Sequence, residues 1–215
     1  GKKVRSNQKL KIVFFCQLPH LWSCIESIYV EAEKDSEIEA YVLVIPNKWE
    51  DEVDTDAYDF CVQNKYNVIM AFDESKKTFF DLKSFNPDYV FIPRPYDVYL
   101  PEQYRGDVIS NYTKVCYVCY GYAAEGGHIL ETCYNRAFTN NCYFLFPEND
   151  STEEYCKRKH VFTSLFGLRK IVKTPFPRFD LLKKWEGVEP EHWKIKKDSV
   201  KKRIIWTPRW TTDDE

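Results

Sequence analysis

Residues 10–16, LKIVFFC, form an almost unbroken apolar run of strand length. A strand that is covered on both faces is apolar throughout, whereas a half-exposed strand alternates polar and apolar residues. Because helices cover both faces of parallel sheets, this run predicts the first strand of such a sheet. The loop that follows, residues 17–20 (QLPH), lacks the glycines of a dinucleotide-binding fingerprint, and the chain has no Walker loop. This argues against an NAD or FAD dehydrogenase.

Further apolar runs of strand length alternate with segments of helical periodicity along the chain. Strands are expected at 40–45, 68–72, 89–92, 115–120, 142–146 and 170–173. Helices are expected from Pro19 through Ala32, at 57–66, at 79–85, as a turn at 108–112, and after a cap at Ser151. The pattern predicts an α/β fold, a Rossmann-like parallel sheet flanked by helices.

The composition is that of a globular domain. The chain has 215 residues, of which 44% are hydrophobic, and a net charge of −2. This charge gives no reason to expect a nucleic-acid partner. Because basic and acidic residues are interleaved along the chain, any attraction to phosphate must come from a local patch. The apolar runs fall far short of the ~20 residues of a membrane span, and the expected compartment is the cytoplasm. Residues 157–160, KRKH, predict a solvated helix face, with peripheral contact to the inner face of an anionic cell membrane as the alternative.

Eight cysteines are spread along the chain, most of them inside apolar runs. Free cysteine is among the most buried residue types, so a core position is expected. Cys116 and Cys119 have C-x-x-C spacing, but a strand would point the two thiols to opposite faces. Neither a metal site nor a cofactor is therefore expected.

Two segments near the end of the sequence carry a family resemblance. Residues 173–180, KTPFPRFD, predict a proline-held turn, with Asp180 capping a short helix. Residues 204–215, IIWTPRWTTDDE, predict a strand at 203–206 and a polar loop with Arg209. The first resembles the G-Y/F-P-R-x-D motif of the bacterial CDP-glycerol:poly(glycerophosphate) glycerophosphotransferases, although Thr174-Pro175 stands where that family has Thr-Gly. The second resembles the ILYAPTWRDDE that opens their second domain.

Residues 87–97, PDYVFIPRPYD, also resemble the PDIVFYQQPYD of relatives of that family. The resemblance implies a GT-B enzyme that transfers a polyol phosphate from a CDP-polyol donor to a polyol-phosphate or glycan acceptor in the cell wall or capsule. Residues 1–200 would be its acceptor-side domain and 201–215 the start of a truncated donor-binding domain, which leaves this fragment inactive alone. The alternatives are a GT-B glycosyltransferase with a nucleotide-sugar donor and a non-catalytic glycan- or protein-binding module.

The loops after the fourth, fifth and sixth strands should share one edge of a parallel sheet, where ligands bind. In the fifth loop, His128 and Glu125 form a titratable pair and are the candidate catalytic residues. The competing interpretation is that His128 only caps a helix, and His20 is the other candidate base. Backbone approach to a ligand there is permitted by the glycines Gly121, Gly126 and Gly127.

The remaining candidate residues bind phosphate or acceptor. Arg94 suits bidentate phosphate binding, although an ion pair with Asp97 or Asp107 is expected at least as strongly. Arg178 is a phosphate candidate for which a structural salt bridge to Asp180 is favoured. Tyr96, Tyr120 and Tyr122 are further candidates at this edge, and Arg209 is a candidate in the loop after the strand expected at 203–206. The many tyrosines are mostly expected in the core, with an acceptor groove lined by Tyr96, Tyr99 and Tyr104 as the alternative.

The family has a W-H-G at the fifth strand end, and the resemblance implies that its His is the base. Here Gly121 matches, but Tyr120 and Cys119 occupy the His and Trp positions. Either His128 or His20 then acts as base from another position, or the chain uses a variant chemistry.

Overall fold

A computed structural model describes residues 8–49, 52–54, 56–122, 128–184 and 186–188. Its strands are β1 (Leu10–Cys16), β2 (Ile38–Val44), β3 (Asn47–Trp49), β4 (Glu52–Asp54), β5 (Val68–Met70), β6 (Phe72–Asp73), β7 (Thr78–Phe79), β8 (Tyr89–Ile92), β9 (Lys114–Val118), β10 (Cys142–Phe146) and β11 (Lys170–Ile171). Its helices are α1 (Pro19–Trp22), α2 (Glu26–Lys34), α3 (Asp56–Gln63), α4 (Leu82–Phe85), α5 (Gly106–Ile109), α6 (His128–Tyr134), α7 (Asp150–Lys159), α8 (Val161–Leu165) and α9 (Arg178–Lys184). Short 3-10 helices cover Asp97–Tyr99, Glu102–Tyr104 and Ala137–Asn141.

Seven strands form one sheet in the order β11-β10-β9-β8-β1-β2-β5. Every pairing in this sheet is parallel, which confirms the predicted Rossmann-like α/β fold. Two antiparallel hairpins, β3–β4 and β6–β7, lie outside the main sheet and were not expected from the sequence.

Both faces of the sheet are covered by apolar side chains, as the run at residues 10–16 predicted. Val13 and Phe15 pack on the face that carries α4, α5, α6 and α7. Phe14 points to the other face, where Trp22 and Tyr29 bring α1 and α2 against it with ring centroids 6.4 and 5.5 Å away. Burial of large aromatic side chains on both faces therefore stabilises a three-layer arrangement.

The predicted strands agree closely with those of the structure. β1, β8 and β10 have the expected bounds, and the other four begin and end within two residues of them. The helix expected from Pro19 through Ala32 is instead divided into α1 and α2. A turn at residues 23–25 separates the two, and it lets the consecutive residues Cys24 and Ile25 both be fully buried. The helix expected at 79–85 is shortened to α4, which begins after Asp81.

Two predicted helix caps are wrong. Asn149 caps α7, because its extended backbone lets its side chain accept the Thr152 backbone N–H at 2.9 Å, whereas Ser151 is exposed within the helix. Asp180 does not cap α9 either, because that helix already begins at Arg178. The buried Phe176 fixes the turn, and its carbonyl accepts the Phe179 N–H at 3.0 Å.

All eight cysteines are buried and free, as expected. Cys116 packs with Phe14 on one face of the sheet and Cys119 with Tyr117 on the other, so the two thiols do point apart. In the ranges that the structure describes, no group of three or more His, Cys, Asp or Glu side chains is arranged to hold a metal ion.

The elements named above lie in residues 1–184, one of two compact units of the chain, and only Glu186, Gly187 and Val188 of the other unit are described. The strand expected at 203–206 and the domain boundary expected at residue 200 lie outside the described residues and stay predictions. None of the helices described has the length and hydropathy that a membrane-spanning segment needs.

Candidate functional site

The order of the strands creates a crevice between β1 and β8. These neighbouring parallel strands pair through Val13 and Val90. After β1 the chain crosses to the face that buries Trp22, and after β8 it crosses to the opposite face, which buries Leu100 and Tyr104. Ligands of open α/β sheets bind outside the carboxyl ends of the strands at such a point. The two loops at this crevice, residues 17–20 and 93–96, are therefore the candidate site.

A bridge across the crevice holds the two loops together. Gln17, the first residue after β1, is buried and donates from Nε2 to the Tyr99 carbonyl at 2.8 Å. Gln17 also lines a cavity of about 10 Å³, together with Cys16, Leu21, Trp22, Ile92 and Arg94 among others. This volume admits about one water molecule. A larger ligand therefore has to lie on the open rim above the strand ends.

Arg94 is the cation of this crevice. Its guanidinium carbon lies 4.4 Å from the Tyr99 ring centroid, in cation–π contact. Burial lowers the pKa of the guanidinium from its ordinary value, although arginine remains charged in proteins. Its Nη1 is buried and has no hydrogen-bond partner among the described residues. A buried polar group without a partner is costly, so this nitrogen fits an anionic ligand.

The expected ion pair of Arg94 with Asp97 or Asp107 is not among the salt bridges of the described residues. Asp97 instead accepts the Gly106 backbone N–H at 2.7 Å through Oδ1. This contact holds the start of α5 against the loop after β8. The Asp97 carboxylate therefore binds a backbone N–H and forms no ion pair with Arg94.

Two tyrosines stand beside Arg94 on the rim. The hydroxyl groups of Tyr96 and Tyr120 are 3.1 Å apart, which joins the strand ends of β8 and β9. Burial, together with the hydrogen bond shared with Tyr96, raises the pKa of Tyr120 well above its ordinary value. Tyr120 therefore stays protonated and suits hydrogen-bond donation, not proton abstraction.

A second cation lies against this pair. The guanidinium carbon of the exposed Arg136 is 4.6 Å from the Tyr96 ring centroid. Sequence reasoning missed Arg136 because it follows α6, far from any predicted strand end. Gln17 was also missed, although a polar residue directly after a buried strand was a usable signal.

The loop after β10 carries a carboxylate that is hydrogen-bonded within the protein. Glu148 follows β10, is buried, and accepts the Tyr134 hydroxyl at 2.7 Å. This bond ties the loop to α6.

One member of the predicted tyrosine groove is elsewhere. Tyr96 and Tyr99 do pack edge to face, with ring centroids 5.9 Å apart. Tyr104 is fully buried, and its hydroxyl lies within hydrogen-bonding distance of two interior carbonyls, those of Phe80 at 2.8 Å and Ala71 at 3.2 Å. Tyr104 is therefore a core residue, and the alternative that it lines the groove is wrong.

The guanidinium of Arg178 forms hydrogen bonds within the protein. It donates from Nε to Ser23 Oγ at 2.8 Å and from Nη2 to the His20 carbonyl at 3.1 Å. The favoured salt bridge to Asp180 is not among those of the described residues, because the guanidinium turns toward the segment after β1. His20 is itself exposed in α1.

The end of β9 opens toward solvent. Tyr122 is exposed and lies against Phe179, with ring centroids 5.4 Å apart. A Cβ added to Gly121 would meet nothing within 4 Å, so no contact within the protein requires glycine there. His128 is the first residue of α6, and its side chain is outside the description. Glu125, Gly126, Gly127 and Arg209 lie outside the described residues.

A larger cleft adjoins the crevice on the same edge of the sheet. Its volume is about 580 Å³, and Leu100 lines both cavities. The walls come from the segments after β2 and β5 and from the chain after β8, and include Pro46, Phe72, Lys77, Phe79, Val98 and Glu102. Small-molecule sites have volumes of about 300–1,000 Å³, so this cleft has the size of a ligand site.

Comparison with known proteins gives a fold. No family model and no curated protein matches the sequence. A solved structure, UDP-GlcNAc 2-epimerase from Neisseria meningitidis bound to UDP-GlcNAc, superposes with a TM-score of 0.54 and 11% identity over 83% of this chain. The chain spans 51% of the length of that structure. The resemblance to the glycerophosphotransferases is carried by its motifs alone. The chain has a Rossmann-like α/β fold of the kind that GT-B-like enzymes contain.

Proposed function

We propose that this chain is the acceptor-side half of a GT-B-type transferase that moves a polyol phosphate from a CDP-polyol to a cell-wall or capsular polymer. The motifs at 87–97 and 173–180 support this assignment, as does the match to 51% of an enzyme with a GT-B-like fold. The observation that carries it is Arg94, a half-buried guanidinium at the crevice with an unpartnered Nη1. A phosphate group of the acceptor supplies the missing partner.

In the proposed reaction, an acceptor hydroxyl attacks the β-phosphorus of the CDP-polyol. A new P–O bond forms, the bond from the β-phosphorus to the bridging oxygen breaks, and CMP leaves. Arg94 holds an acceptor phosphate, while the hydroxyls of Tyr96 and Tyr120 orient its oxygens. The hydroxyl proton passes to a base, for which we propose His128 with Glu125, or His20 as the alternative. Tyr120 occupies the family's His position but is excluded as the base by its raised pKa.

The larger cleft is proposed to take the next unit of the acceptor. It adjoins the crevice through Leu100, so a polymer held at Arg94 extends into it without crossing the sheet. Phe72 and Phe79 line it with ring centroids 4.7 Å apart. Such an apolar wall suits the carbon skeleton of a polyol or a sugar.

A second candidate is a GT-B glycosyltransferase with a nucleotide-sugar donor. The observation in its favour is that the solved structure of similar fold is bound to UDP-GlcNAc. The two candidates differ in the donor that they use, a CDP-polyol or a nucleotide sugar.

The test is calorimetric titration of the 215-residue chain with a short poly(glycerol phosphate) oligomer. Binding is expected, and Arg94→Ala should weaken it about tenfold or more, because a charge-assisted hydrogen bond is lost. Arg158→Ala is the matched control, since this exposed arginine lies on α7, away from the crevice. Thermal melts of both variants verify folding.

Equal binding by Arg94→Ala would contradict the assignment of the phosphate site. Binding of UDP-GlcNAc that depends on Arg94, with no binding of the oligomer, favours the glycosyltransferase. Binding of neutral glycans that Arg94→Ala leaves unchanged favours a non-catalytic module.

A further inference from the structure

Two arginines are held against one pair of tyrosines on the rim. The guanidinium carbon of Arg94 lies 4.4 Å from the Tyr99 ring centroid, and that of Arg136 lies 4.6 Å from the Tyr96 ring centroid. The two rings pack edge to face, with centroids 5.9 Å apart. Contact with an aromatic ring positions a guanidinium and leaves its N–H groups free to donate. We name these four residues the rim cluster.

Arg136 is fixed to the backbone at one nitrogen and presents the others to solvent. Its Nε donates to the Thr132 carbonyl, four residues back, at 2.6 Å. Its two Nη groups form no hydrogen bond and no ion pair with the residues that the structure describes. The side chain as a whole is exposed. A guanidinium that is held in this way suits an anion that arrives from solvent.

The two cations of the rim cluster face different neighbours of β8, which pairs with β1 on one side and with β9 on the other. Arg94 and Gln17 line the small cavity between β1 and β8. Arg136 instead contacts Tyr96, whose hydroxyl is 3.1 Å from that of Tyr120, two residues after β9. The rim cluster therefore offers two positions for an anion, one toward β1 and one toward β9.

The carboxylates that follow β8 and β10 do not neutralise the rim cluster. Neither Arg94 nor Arg136 has an ion pair within the described ranges. Asp97, which lies between the two tyrosines in sequence, accepts the Gly106 backbone N–H. Glu148 accepts the Tyr134 hydroxyl. Two guanidinium groups without a carboxylate partner favour a ligand with two negative groups over a neutral ligand.

We propose that the rim cluster binds two successive phosphate groups of the acceptor, one at Arg94 and the next at Arg136. The inference rests on the proposed transfer of a polyol phosphate, because it assigns a second position to the same acceptor. Two phosphate groups joined by one polyol occupy both positions, whereas a polyol monophosphate occupies only one. The chain should therefore discriminate between a polymeric acceptor and its monomer through Arg136.

The test is calorimetric titration of the 215-residue chain with glycerol 3-phosphate and with a synthetic oligomer that carries one further glycerol phosphate unit. The oligomer should bind about fivefold more tightly or better, because it adds an exposed charge-assisted contact. Arg136→Ala should weaken binding of the oligomer about fivefold and leave binding of the monophosphate unchanged. Arg94→Ala should weaken binding of both ligands.

Three further measurements separate a specific contact from a general effect of charge. Arg158→Ala, which removes an exposed arginine of α7, is the matched control and should change neither affinity. Arg136→Glu should weaken binding of the oligomer more than Arg136→Ala does, because the new carboxylate repels phosphate. Added salt should reduce the difference in affinity between the two ligands. Thermal melts verify that all variants fold.

Unchanged binding of the oligomer by Arg136→Ala overturns the proposal. If Arg94→Ala still weakens binding of both ligands in that case, the phosphate site at Arg94 stands and only the second position is lost. An equal loss of affinity for the two ligands in Arg136→Ala would place both arginines on one phosphate and would also overturn the proposal. Absence of binding by both ligands overturns it together with the proposed acceptor site.

Discussion

His160 is a histidine held in the interior between a cation and a carbonyl group. The Arg169 guanidinium contacts its Nδ1, so Nδ1 accepts and the proton resides on Nε2, which faces the Tyr134 carbonyl at 3.3 Å. Burial, followed by the charge of Arg169, lowers the pKa of His160 from 6.5 to about 4. The folded protein therefore requires a neutral ring in a pH range where the unfolded chain carries a proton.

Because the folded protein requires a neutral His160, its stability should fall with acidification over a defined pH range. The contribution of His160 to stability is complete above pH 6.5 and is lost as the pH falls toward 4, because only the unfolded chain binds the proton there. We expect a loss on the order of 2 kcal/mol in the free energy of unfolding between pH 7.5 and pH 4.5. Urea denaturation at the two pH values measures it.

His160→Gln is the control variant for this window. It should be less stable at neutral pH but should lose less stability on acidification, because the unfolded chain no longer takes up a proton at position 160. An equal loss in both proteins would show that His160 does not titrate on unfolding.

The position of a residue could be predicted where its neighbours in the sequence determine it. It could not be predicted where contacts with distant residues determine it. Arg94 was found because it lies two residues after an apolar strand, and the cysteines because their neighbours are apolar. His160 stands after three exposed cations, and its contacts with Arg169 and Tyr134 hold its ring in the interior. Tyr104 was misplaced for the same reason, since its hydroxyl partners, Ala71 and Phe80, lie at least 24 residues away.

At the scale of elements, the strands of the main sheet were the most predictable. Their apolar runs are bounded by polar residues or proline. Because both faces of the sheet are buried, apolar residues are needed at every position of a strand. The hairpins β3–β4 and β6–β7 have only two or three residues per strand, too few to show a period of two.

Helix α7 provides a direct test of a cap. Asn149→Ala should destabilise the protein by about 1 kcal/mol, because the backbone N–H of Thr152 loses its acceptor. The melting temperature should fall by about 2–4 °C in a chain of this size. Ser151→Ala is the matched control two residues on, since Ser151 is exposed within the helix and should change the melting temperature little. Equal shifts in the two variants would contradict Asn149 as the cap.

At the scale of the whole molecule, the sequence predicted parallel strands but not which strands are neighbours. Apolar runs identify strands, and their order depends on how the crossovers pack. The crevice exists only because β8 lies beside β1, so residues 17–20 could not be paired with residues 93–96 in advance. The loops after β8 and β9 do meet, through Tyr96 and Tyr120, as the shared edge required.

Arg178 links parts of the chain that are 155 residues apart, and its removal tests how α9 is attached. Arg178→Ala removes the bonds to Ser23 Oγ and the His20 carbonyl. We expect a loss of about 1–2 kcal/mol, since two modest hydrogen bonds disappear and Phe176 stays buried. Because the bonds join α9 to the segment after β1, amide hydrogen exchange should accelerate in α9 and residues 20–25 while β1 stays protected. Lys184→Ala, an exposed residue of the same helix, should leave the exchange of residues 20–25 unchanged. Identical exchange in the two variants would mean that the buried Phe176, and not Arg178, attaches the helix.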